Sequence, residues 1–145
     1  MTSLAVRTAP PPTVQLSVLL WLGAIGAGAA EALVHLLLPA PPTAGQLATR
    51  FGIYAVLTVL VLALRTGRNV VRWTVAVLLA GFGTLSLVIE PISWLFAGGS
   101  PGLFLVTADA PALVAAALRI AHIVAVLSAT ALMFGPSANS WFRGR

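Results

Sequence analysis

Four long apolar stretches with short, punctuated breaks between them dominate the pattern of hydrophobic and polar positions along this 145-residue chain. They cover about residues 14–38, 46–65, 70–96 and 111–134. The first stops at Pro39, with Pro41 and Pro42 behind it, and the third at a Gly98-Gly99-Ser100-Pro101 breaker. Pro111 suits the first turn of the fourth, which ends at Gly135-Pro136, because its missing N–H has no helical partner there anyway. Each stretch can cross a bilayer, since about 20 helical residues cover a ~30 Å hydrocarbon core. Runs of Ala, Leu and Val without strict alternation favour helices over barrel strands. The pattern predicts an all-α membrane protein, with four transmembrane helices in an up-down-up-down bundle over residues 13–136. A disordered cytoplasmic tail is expected over 1–12, where Pro10-Pro11-Pro12 favours extended chain, and a cytoplasmic tail over 137–145. The first stretch has the early Arg7 and small residues of a signal peptide. Its apolar run continues well past the usual length of roughly 7–15 residues, so a retained helix is expected.

Composition narrows the class further. Apolar residues make up 59% of the chain and charged ones 8%, against roughly 25% charged in soluble domains. The net charge of +5 comes from eight basic residues, all Arg and scattered, with no basic stripe interleaved with aromatics. Nucleic-acid binding is therefore not expected. Without Cys, disulfides and thiol chemistry are excluded. No Walker loop, His box, nucleophile elbow or zincin motif occurs, and no cofactor is implied.

Arginine placement sets the expected orientation. Arg65, Arg68 and Arg72 flank the turn between the second and third spans, Arg7 precedes the first, and Arg143 and Arg145 follow the fourth. The other two connections hold no basic residue, and one holds Asp109. Positive residues stay cytoplasmic. Both termini are thus expected inside a cell (plasma) membrane, with Trp141 and Phe142 as an interfacial anchor.

Six ionisable residues interrupt these apolar stretches: Glu31, His35, Arg50, Glu90, Arg119 and His122. At 1.5 Å per residue, the threading above puts the two Glu and two Arg roughly 6–13 Å below the outer surface. His35 lies shallower and His122 deeper. A charge in hydrocarbon costs at least ~2.5–3.5 kcal/mol, so such residues pair or line a site. Small residues mark helix contacts. The expected packing rows are Gly23, Ala27, Glu31 and His35; Arg50, Tyr54 and Thr58; Ala76, Gly83 and Glu90; and Ala112, Ala115, Arg119, His122 and Ala129. The result is a buried polar cluster of Glu31, His35, Arg50, Tyr54, Glu90, Arg119 and His122 in the outer half.

The favoured reading is a non-enzymatic accessory or partner-binding bundle held by ion pairs, for example Glu31 with Arg50 and Glu90 with Arg119. The alternative is a lipophilic small-molecule binder, or an intramembrane acid/base enzyme using Glu31 or Glu90. No catalytic residue is assigned. A metal site at Glu31 and His35 is disfavoured, because neighbouring Arg side chains repel a cation and the Glu-x-x-His spacing of di-metal bundles is absent. A proton-coupled transporter built on Glu31 is disfavoured by the strong charge bias. Expected partners are the lipid bilayer and either a membrane-protein partner or a second copy of the chain.

Lesser features complete the pattern. Glu90-Pro91 is expected to loosen the outer end of the third helix. Leu103-Phe104-Leu105-Val106 suggests an interfacial lid or anchor, and Trp21, Trp73 and Trp94 suggest interfacial positions. The turn Arg65-Thr66-Gly67-Arg68-Asn69 and the tail Ala138-Asn139-Ser140-Trp141-Phe142-Arg143 resemble segments of small four-helix integral membrane proteins common in actinobacteria. That resemblance implies the architecture and no activity.

Overall fold

In this computed structural model, residues 9–143 are described; most of the tail over 1–12 lies outside them. Local chemistry explains where each helix starts and stops. Helix α1 (Pro12–Leu37) opens with Pro12 in its first turn and closes in a tight 3-10 turn before the proline-rich connection. Helix α2 (Ala44–Thr66) starts at a capping box: Gln46 N–H donates to Thr43 Oγ1, and Thr43 N–H donates to Gln46 Oε1 at 2.8 Å. It stops at Gly67, whose φ of +75° is the left-handed conformation that ends helices.

Helix α3 (Asn69–Phe96) contains a π-helical segment, Ala76–Gly83, that the sequence pattern did not announce. Short α4 (Pro101–Thr107) is capped by Ser100, and α5 (Ala110–Met133) by Asp109, whose carboxylate accepts from Ala112 N–H at 2.9 Å. The tail after the fourth span begins as helix α6 (Pro136–Arg143). Four of these helices, α1, α2, α3 and α5, are long and apolar enough to cross a membrane, and no strand forms among the described residues.

Packing centres on α1 and α5. The buried side of α1 runs Val14, Ser17, Trp21, Ala24, Gly28, Glu31, a spacing of alternating three and four residues. Helix α5 answers with Ala115, Arg119, His122, Val126, Ala129 and Met133 at the same spacing. Such a heptad seam keeps two helices in contact along their length. The start of α1 meets the end of α5, so the pair is antiparallel, and Ser17 Oγ donates to the Ala129 carbonyl at 2.8 Å across it. Interhelical bonds of this kind within membranes average about 0.6 kcal/mol. Ser17→Ala is expected to lower stability by about that amount in a detergent unfolding titration.

The packing row read from the sequence through Gly23 is therefore displaced. Gly23 faces open space, and Gly28 lies in the contact. Trp21, expected at an interface, is fully buried in the seam.

One end of the bundle is closed. Val14, Val18, Val61, Leu64, Val75, Met133, Ala138 and Phe142 form a continuous core there. Helix α6 folds beneath it, tied to α1 by the Thr13–Ser137 hydroxyl pair and to the end of α5 by Asn139 Nδ2 donating to the Phe134 carbonyl. Arg72, read from sequence only as a topological charge, is buried here among rings, with its guanidinium carbon 4.3 Å from the Phe134 centroid and 5.3 Å from that of Phe142. Phe142 is accordingly a core residue rather than an interfacial anchor.

Away from this end α2 and α3 part. Contacts of α2 with α3 concentrate at the first segment of α3, Asn69–Val75. Their outward faces expose residues such as Val56, Val59, Val77 and Phe82. Hydrocarbon tails are as apolar as these side chains, so a bilayer solvates them without penalty.

Candidate functional site

The heptad seam brings Glu31 and Arg119 face to face. Arg119 Nε donates to Glu31 Oε1 at 2.8 Å, and Nη2 lies 2.7 Å from the same oxygen in an ion pair. Its remaining arm, Nη1, donates to Glu90 Oε2 on α3 at 2.9 Å. One guanidinium thus bridges two carboxylates and fastens α1, α5 and α3 together. A planar group with several rigidly placed donors suits this role, which a lysine could not fill.

Exposure divides the bridge. The Glu31 side chain is 5% exposed and that of Arg119 22%, while that of Glu90 is 73% exposed. The pairing of Glu31 with Arg50 expected from depth alone does not form. Arg50 stays exposed on α2, and the seam delivers Arg119 to Glu31 instead. Arg50 is exposed and makes no ion pair among the described residues.

Gly28 sets the distance between α1 and its other neighbours at this level. A Cβ there would come 2.8 Å from Tyr54 Oη and 3.0 Å from His122 Cε1, so any larger residue must push these side chains aside. His122 Nδ1 is buried without a hydrogen-bond partner among the described residues, as is the Trp21 indole N–H. His35 is held differently: its Nδ1 lies 2.7 Å from the Glu31 carbonyl oxygen one turn back.

Between α2 and α3, on the side away from the closed end, lies a cavity of ≈ 1110 Å³. Glu31, His35, Arg50, Tyr54, Glu90, Arg119 and His122 all line it. Below them its walls are apolar, formed by Trp21, Ile25, Leu57, Leu79, Leu87 and Val126. Pro91 sits within α3 one residue beyond Glu90, and the helix continues through it to Phe96. The short helix α4 does not line the cavity; Phe104 packs edge-on against Trp94 with centroids 6.1 Å apart. It is therefore not the lid that its apolar sequence suggested.

Among the described residues, no group of three His, Asp or Glu side chains converges as a metal site would require. Comparison with protein-family models, with curated proteins and with solved structures found no match to this chain.

Proposed function

We propose that this is a non-enzymatic multi-pass protein of the cell membrane that holds a lipophilic molecule between α2 and α3. In this reading the Glu31–Arg119–Glu90 bridge locks the bundle around its ligand. The observation that carries it is the ≈ 1110 Å³ cavity, apolar below and charged above, in a chain whose other end is fully packed. Small-molecule sites span roughly 300–1,000 Å³ and combine apolar walls with a few placed polar groups. Both carboxylates already accept from Arg119, which occupies the two groups that proton transfer would need.

Arginine bias supports an up-down-up-down order with both termini and the closed end in the cytoplasm, so the cleft opens in the outer half. The two motifs shared with small actinobacterial four-helix proteins support kinship with that group. A partner helix, from another protein or a second copy, is the competing occupant.

Native mass spectrometry of the detergent-extracted protein tests this reading. Wild type is expected to retain an adduct of lipid mass. Ser86→Trp, which places an indole in the cleft from an exposed position on α3, is expected to lose the adduct while remaining folded. A bound polypeptide, a bare monomer, or equal adducts in both proteins would contradict it.

A further inference from the structure

The charges facing the cleft do not cancel locally, although they cancel in sum. On the α1–α5–α3 wall, two carboxylates share the one guanidinium of Arg119. Glu31 is buried with Oε1 held by both the Nε hydrogen bond and the Nη2 ion pair, whereas Glu90 is exposed and engaged through Oε2 alone. The surplus negative charge therefore falls on Glu90 at the cleft. On the facing wall, Arg50 lines the same cavity with no carboxylate in ion-pair range among the described residues. Each uncompensated charge is costly beside hydrocarbon and calls for an opposite charge.

We propose that the cleft selects a phospholipid whose headgroup is a zwitterion with a primary ammonium. The ammonium faces Glu90, the phosphate faces Arg50, and the acyl chains follow Ile25, Leu57 and Leu79 downward. This rests on the cleft-binding reading and adds the chemistry of its occupant. An anionic head would satisfy Arg50 and leave Glu90 uncompensated; a cationic head would do the reverse. A quaternary ammonium carries the charge but has no N–H to donate to the carboxylate, so it forfeits the charge-assisted hydrogen bond.

The test compares phosphatidylethanolamine, phosphatidylcholine and phosphatidylglycerol with identical acyl chains. Each is titrated against delipidated full-length protein and read by native mass spectrometry. One charge-assisted hydrogen bond corresponds to about a tenfold preference, and wild type is expected to favour phosphatidylethanolamine by that factor. Glu90→Gln keeps the Glu31–Arg119 pair but leaves Arg50 as the surplus charge, so preference is expected to move to phosphatidylglycerol. Arg50→Gln leaves the carboxylate in surplus, and oleylamine is expected to outcompete all three lipids.

A wild type that binds the three heads within about twofold overturns the headgroup inference while leaving cleft binding intact. A Glu90→Gln variant that still favours phosphatidylethanolamine overturns it as well. A protein that retains no lipid of any kind overturns both the inference and the reading beneath it.

Discussion

Arg119→Met is expected to destabilise the bundle by about 3–5 kcal/mol, the range for removing one partner of a buried ion pair. The loss arises from what remains: Glu31, buried against α5 with its ion pair and charged hydrogen bond gone. Glu90→Gln removes a bond at an exposed site and is expected to cost only about 0–1 kcal/mol. The double variant Glu31→Gln/Arg119→Met leaves no buried charge in the seam and is expected to regain most of the lost stability. Unfolding titrations in mixed detergent micelles read all three. Equal losses for Arg119→Met and Glu90→Gln would show that burial does not govern the bridge.

The second large effect is steric. Gly28→Leu is expected to cost about 2–3 kcal/mol, the upper part of the range for overpacking, because Tyr54 and His122 already fill the space a side chain needs. Gly23→Leu and Gly26→Leu project into open space and are expected to stay within about 0.5 kcal/mol of wild type. Thermal unfolding of the three variants separates the positions. Helix propensity alone favours leucine over glycine at all three positions, so a Gly28→Leu variant as stable as the other two would show that contact at Gly28 does not limit the packing.

Spans and breaks were legible because bilayer thickness imposes a length, and Pro, Gly and capping residues punctuate it. Thr43-x-x-Gln46 and Asp109-Ala110-Pro111 sit where the helices begin. The ionisable residues were legible as a set for the same reason, since threading fixes their level. Their partners were not. Level says nothing of azimuth, and the row through Gly23 and Ala27 followed a spacing of four rather than the alternation of three and four that Ser17, Trp21, Ala24, Gly28 and Glu31 share. That alternation was present in the sequence, and it pairs Glu31 with Arg119.

Two features left weaker signals. The rows through Arg50 and Tyr54 on α2 and through Glu90 on α3 marked a polar side, but a row read as helix contact looks the same in sequence as one that lines a cleft. Arg72 and Phe142 are far apart in sequence and meet only because α6 turns back under the closed end. The basic turn thus supplies a buried cation for three aromatic rings.

The most direct measurement is an experimental structure of the full-length protein in a lipid nanodisc. Elongated non-protein density is expected between α2 and α3, with its polar end between Arg50 and Glu90 and its apolar end near Trp21. Helices α2 and α3 closed upon each other there, with Leu57 against Leu79 and no space between, would contradict the cleft and every function built on it.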